Sequence, residues 1–210
     1  MGLEGKKVVV VGGGCDTGLA IARMAAAAGA TAILADETFS PLDMGSDAEE
    51  ALLKRETVDP HDARSLDYFF EQVSPFDILV LWTPPAGPSA FLEIEREHVR
   101  KVLETAFWGV LSAVQQSIGC IADDGTIILF TFREDAEPEP GEVLSYSVSG
   151  AIEALVESLS VELYPIRVNA VSVVSGGKVL NEEEIARTAV AVMTHGAPSG
   201  TVVYGNEALP

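Results

Sequence analysis

The sequence predicts an α/β fold built as one doubly wound parallel sheet of about seven strands flanked by helices. Three observations predict it. Short apolar, β-branched runs alternate with helical patterns from end to end, as strand–helix–strand crossovers require. The interior runs, such as Asp77-Ile-Leu-Val-Leu-Trp82, are apolar at almost every position, which suits strands buried on both faces. The first strand ends in a glycine-rich turn, Gly12-Gly13-Gly14, that leads into a helix.

The elements follow in order. Lys7 to Val11 is the first strand, and Thr17 to Ala28 an alanine-rich helix stopped by Gly29. Thr31 to Ala35 is a second strand ending at Asp36. Phe39 to Asp47 reads as irregular, Ala48 to Arg55 as a short helix and Glu56 to Val58 as a weak strand. Asp59 followed by Pro60 predicts a helix N-cap and first position. Asp77 to Trp82 is the fourth strand, and Pro84 to Pro88 a stiff turn. Glu93 to Ile121 predicts a long helix, Gly125 to Phe132 a fifth strand and Arg133 to Glu142 an acidic loop. Val143 to Tyr164 is a second long helix and Ile166 to Val174 a sixth strand. Glu182 to Thr194 is a final helix, and Thr201 to Tyr204 a last strand. No repeat or low-complexity linker divides the 210 residues, so a single domain, 1–210, is expected.

Composition narrows the function classes. A net charge of −19 argues against nucleic acid and anionic membrane, which select basic surfaces. It also hinders a polyanionic ligand. It fits solubility, a salt-adapted host or a docking surface for a basic partner. No apolar run approaches membrane-spanning length, and Lys6-Lys7 followed by four valines is too short for a secretory leader. Cys15 and Cys120 give no disulfide framework and are expected to be buried thiols of a cytoplasmic protein. His61, His98 and His195 are isolated, so no metal site is expected.

The glycine turn with an acid about twenty residues on suggests the dinucleotide-binding, Rossmann-like version of this fold. The run Val8 to Arg23, the strand Asp77 to Val80, the strand Pro165 to Ser172 and the segment Ser199 to Tyr204 together resemble the short-chain dehydrogenase/reductase family. The likeness spans nearly the whole chain. It implies an NAD(P)-dependent oxidoreductase whose catalytic set is tyrosine, lysine, serine and asparagine, and which assembles through its two long helices.

Most positions that the resemblance makes functional depart from the family pattern. Gly12, Gly14 and Gly18 sit in the glycine turn, but Asp16 stands at the middle glycine, where the backbone meets a pyrophosphate. A carboxylate about 5 Å from a phosphate costs ~3 kcal/mol at an effective dielectric of 20. Asp16 can equally serve as the helix N-cap. Asp36 matches the ribose-binding acid of NAD-preferring members, or is an ordinary strand-end aspartate; Glu56 falls near the adenine-contacting aspartate. Leu81-Trp82-Thr83-Pro84 replaces Asn-Asn-Ala-Gly. Ala106 stands at the asparagine and Phe132 at the serine, and neither side chain hydrogen-bonds. Thr131 is one position from Phe132 and faces the other side of the strand. Tyr146-Ser-Val-Ser-Gly150 resembles Tyr-x-x-x-Lys with Gly150 at the lysine. A free phenol has a pKa near 10, leaving about one phenolate in a thousand at pH 7 without a neighbouring cation. Tyr146 is therefore either a vestige of the catalytic group or a packing residue. The substrate-covering segment, about 173–181, is shortened.

Three functions remain open. One is a non-catalytic, structural or regulatory subunit of a homo- or hetero-oligomer built through helices 93–121 and 143–164, with an active paralogue as a candidate partner. A second is an oxidoreductase with an atypical site using Tyr146, and Thr131 beside it, on a small alcohol, ketone or hydroxyacyl compound. The third is a small-ligand sensor with Trp82 and Phe132 as apolar walls. No cofactor is expected, and NAD(H) is the one implied if any binds.

Overall fold

The computed structural model describes residues 2–38, 53–60, 62–132, 139–175 and 178–204. Seven parallel strands form the main sheet: β1 Lys7–Val11, β2 Thr31–Asp36, β3 Leu53–Thr57, β4 Phe76–Leu81, β5 Ile121–Thr131, β6 Arg167–Ser172 and, after a short hairpin, β9 Val202–Tyr204. Their order is β3-β2-β1-β4-β5-β6-β9. The chain winds outward from β1 in one direction and from β4 in the other. The crevice above the β1/β4 boundary is where open α/β sheets place their ligands.

Two helical layers cover the sheet. On one face lie α1 Asp16–Ala27 and α6 Glu182–His195, around a core that includes Leu19, Ile21, Val80, Phe130, Ile185 and Val192. On the other lie α2 Ala63–Val73, α4 Gly109–Ser117 and α5 Val143–Glu162, around Val9, Phe70, Leu79, Val110, Leu129 and Ile152. Side chains alternate across β5, so Ile127 and Leu129 enter one core and Ile128 and Phe130 the other. The hairpin β7 Val174–Ser175 with β8 Lys178–Val179 stands where the shortened covering segment was expected. No helix among the described residues is long and apolar enough to cross a membrane.

Several expected boundaries are corrected. Part of the expected helix 48–55 lies outside the described residues. Its last three residues, Leu53 to Arg55, belong to β3, which pairs with β2 from Ala32↔Leu53 to Asp36↔Thr57. An edge strand has one neighbour and tolerates polar residues, so Leu-Lys-Arg-Glu-Thr gives no strand signal. The helix expected from Asp59-Pro60 starts at Ala63. Asp62 caps it, accepting a hydrogen bond from the Arg64 N–H at 2.9 Å. The N-cap of α1 is Cys15 rather than Asp16. Cys15 is exposed and Cys120 partly so, against the expectation of two buried thiols.

The helix expected over 93–121 runs continuously from Arg96 to Ser117 but carries a π-helical turn. A 3-10 turn, Phe91–Glu93, precedes α3 Arg96–Leu103, and Glu104–Trp108 is a π-helical turn that leads into α4. The Gly109 N–H there donates to Glu104 O, a five-residue step. Residue Ile121 already belongs to β5. Such one-turn π insertions re-aim the side chains around them, here beside Ala106.

Candidate functional site

The crevice is built by the turn after β1, the segment after β4, the end of β5 and the first turns of α5 and α6. Gly12 has φ +81°, and a Cβ on it would strike the Trp82 carbonyl. A Cβ on Gly18 would lie 2.6 Å from Gly13 Cα and 2.9 Å from Gly12 O. The glycine turn is thus held tightly to β4 on one side and to α1 on the other.

Two groups already use the polar atoms of this turn. The Asp36 carboxylate accepts from the Gly14 N–H at 2.8 Å and from the Glu37 N–H at 2.7 Å. The Cys15 thiol donates to Gly12 O at 3.6 Å and accepts from the Gly18 N–H at 3.5 Å. Although Cys15 as a residue is exposed, partial burial of its sulfur is the largest cause pushing its pKa up. The Gly18 and Thr17 N–H groups pull it partly back, and Asp36 and Asp16 push it up again. The thiol therefore stays protonated and occupies part of the helix N-terminus that binds a phosphate in dinucleotide folds. Asp16 is exposed on the first turn of α1.

Among the described residues two cavities open along the crevice, and a further one of about 510 Å³, lined by Lys101 and Glu104, adjoins the first through Pro60, Thr105 and Gly109. The first, about 330 Å³, lies over β1 and β4 and is lined by Gly12, Gly14, Cys15, Asp36 and Trp82 among others. Of the expected cofactor residues Gly12, Gly14 and Asp36 line it; Gly18 supports the turn from behind, and Glu56 does not line it. The second, about 420 Å³, lies beyond Trp82 and is bounded by Phe132, Ser145, the hairpin and the start of α6. Trp82 lines both. Its ring stacks edge-on against Phe130 and Phe132, with centroids 4.9 and 5.7 Å apart. The Trp82 segment forms a wall between two open spaces and does not plug the crevice.

At the β5–α5 end two serines come forward beside the expected positions. Val148, Ser149, Ile152 and Val156 are the buried residues of α5 and set its sheet-facing side. Ser145 and Ser149 share that side. Ser149 accepts a hydrogen bond from the Phe132 N–H at 2.9 Å, and Ser145 donates to Ala86 O at 2.8 Å. Tyr146 is rotated by about 100° from Ser145, one residue along a helix. It lines neither cavity, nor the small pocket between them and α5 where Ala106, Phe132, Ser145 and Ser149 meet. Ser145 and Ser149 are the i, i+4 pair of α5 that lines the small pocket, and Tyr146 is half-buried beside them.

Ala106 and Phe132 both border the small pocket, as their expected positions require. Thr131 is fully buried, with its hydroxyl oxygen unpaired, and lines none of the three cavities. The pairing of β5 with β6 runs unbroken from Thr126↔Arg167 to Thr131↔Ser172, so no bulge turns Thr131 inward. Sequence reasoning missed Cys15, Ser145 and Ser149. The apolar spacing Val148, Ile152, Val156 was the available signal for the two serines.

A parallel sheet of this order, with a glycine turn and an acid at the end of β2, defines the class of dinucleotide-fold oxidoreductases. The comparisons with known proteins narrow it. The family model described as enoyl-(acyl carrier protein) reductase matches residues 17–177. An uncharacterized oxidoreductase of Methylorubrum extorquens is 28% identical over 191 residues, covering 86% of this chain and 75% of that protein. The short-chain dehydrogenase/reductase of Serratia marcescens superposes with TM-score 0.84 at 21% identity, over 97% of both chains. The MalC reductase/Diels-Alderase of Malbranchea aurantiaca superposes with TM-score 0.81 at 20% identity, over 96% of this chain and 94% of that one. The chain belongs to the short-chain dehydrogenase/reductase family.

Proposed function

We propose that this chain is a non-catalytic member of the family that serves as a structural or regulatory subunit of an oligomer. The observation that carries the reading is the chemistry of the crevice. An amine, Lys101, lines the adjoining cavity, but among the described residues the linings of the two crevice cavities and of the small pocket include no phenol, amine, guanidinium or imidazole. Their titratable groups are Cys15, Asp36, Glu37, Glu142 and Glu182. Proton transfer to a carbonyl or from an alcohol needs a group that carries a proton near neutral pH within hydrogen-bond reach. Ser145 donates to Ala86 O and Ser149 accepts from the Phe132 N–H, and among the described residues the titratable groups lining a cavity with Ser145 are the Glu142 and Glu182 carboxylates.

The turn is also a poor fit for the pyrophosphate of NAD(H). By the family resemblance Asp16 stands at a glycine position, Cys15 takes the Gly18 N–H, and Asp36 takes the Gly14 N–H, so two N–H groups of the turn are already engaged. The adenosine end keeps an acid and an open space, so the mismatch is centred on the phosphates. No hydride step is derived for this chain.

The helices proposed for assembly support the oligomer. Val110, Val114, Val148, Ile152 and Val156 are spent on the sheet, and Phe107, Leu155 and Leu159 are half-buried beside them. Trp108 and Val161 remain 60% and 80% exposed. Sedimentation at tens of micromolar tests the reading: a dimer or larger species is expected, reduced to monomer by Trp108→Glu with Val161→Glu. A wild-type monomer that binds no family member would sink it.

A second reading, a ligand-binding cleft without turnover, draws on the two open cavities. Their volumes fall in the usual range for small-molecule sites. Melting shifts without redox activity would support it.

A further inference from the structure

The cavity beyond Trp82 has a chemical character of its own. Its walls are apolar: Trp82, Phe132, Val173, Val179, Leu180 and Ile185. Its charged lining residues are Glu142 and Glu182, and no basic side chain lines it among the described residues. One oxygen of Glu142 accepts from the Glu139 N–H at 2.9 Å, which leaves the other free to face a ligand. Glu182 opens the first turn of α6, followed by Glu183 and Glu184, so the positive end of that helix is already overcompensated. The Ser145 hydroxyl gives its proton to Ala86 O and presents lone pairs.

We propose that this cavity is a site for a hydrophobic amine, a compound with an aromatic or alicyclic body and one protonated nitrogen. The proposal rests on the reading that the crevice binds small molecules. The body fills the space against Trp82 and Phe132, and removing its apolar surface from water drives binding. The nitrogen meets Glu142 and Glu182, and the aromatic walls add attraction for a cation. A neutral compound of the same shape gains the walls but leaves both carboxylates partly dehydrated without a partner. A carboxylate or phosphate is repelled. This selectivity is opposite to that of a site for a dinucleotide.

The test uses three compounds of one shape, 4-phenylbutylamine, 4-phenylbutanol and 4-phenylbutyrate, titrated calorimetrically into the full chain at pH 7 and 150 mM salt. The amine is expected to bind about tenfold more tightly than the alcohol, the sum of two partly exposed charge pairs. The carboxylate is expected to give no saturable heat. Glu142→Gln with Glu182→Gln is expected to remove the preference for the amine while the alcohol still binds. That variant changes only two charges of a chain at −19, so a preference that persists in it reflects bulk attraction and overturns the site. Equal binding of amine and alcohol overturns the amine proposal and leaves the ligand-binding cleft standing. Binding of none of the three overturns both. Phe132→Ala, with its fold checked by melting, is expected to weaken amine and alcohol alike; unchanged affinity for both places them elsewhere and overturns the site.

Discussion

Replacing Ser149 by alanine tests whether this serine is a clamp for the end of β5. Ser149 is 2% exposed, and its hydroxyl is the acceptor for the Phe132 N–H at 2.9 Å. Phe132 in turn sets the ring that meets Trp82. Alanine leaves that N–H without its partner, at a cost of about 1–3 kcal/mol. Alanine is also the better helix former by roughly 0.5 kcal/mol. Ser147→Ala gains the same propensity at an exposed position two residues away and serves as the reference. The difference between the two variants is therefore the clamp itself. For a chain of this size, 1 kcal/mol moves the melting midpoint by about 2–4 °C, so Ser149→Ala is expected to melt about 2–12 °C below Ser147→Ala. The assay is thermal unfolding followed by circular dichroism, with tryptophan fluorescence recording the Trp82 environment. Indistinguishable midpoints and spectra would refute the clamp.

Other outcomes follow from the same geometry. Gly18→Ala places a Cβ against backbone atoms that cannot yield and is expected to cost about 1–3 kcal/mol; Gly119→Ala, which meets nothing within 4 Å, is expected to cost nothing, and equal melting would contradict the tight turn. In a Cys120→Ser background, Cys15 should react with iodoacetamide more slowly than free cysteine at pH 8. Its raised pKa leaves less thiolate there, and the folded state should lose stability as pH climbs past the ordinary thiol value of about 8.5, because the unfolded thiol ionises first. Fast labelling at neutral pH would show that burial does not control it. Combining Ser145→Tyr, Ser149→Lys, Phe132→Ser and Ala106→Asn should leave ketone reduction at background while Asp16 and Trp82–Pro84 remain. Measurable turnover would mean that cofactor binding had been retained.

The sheet was legible in the sequence because its central strands are nearly pure hydrophobe, and α1 ends where Gly29 takes φ +98°. β3 was hidden by its position. Leu53 to Thr57 follow Ala-Glu-Glu-Ala-Leu in a helical rhythm, and only pairing with β2 makes them a strand. The π turn was hidden because hydrophobic spacing does not register one extra residue in a turn. Cys15 was passed over as a cap because oxygen-bearing side chains are the usual signal. The Tyr146 motif drew attention away from the two serines near it. The helix's own periodicity, Val148, Ile152, Val156, points to Ser145 and Ser149, and packing against β5 decides between the two phases.

Titrating the purified chain with NADH and with NADPH in a calorimeter, at a salt concentration that screens the charge of −19, tests the central claim most directly. No saturable heat up to millimolar cofactor is the predicted result, because Asp16, Cys15 and Asp36 occupy or oppose the phosphate positions. Saturable micromolar binding would contradict the account and return the chain to the redox-active members of its family.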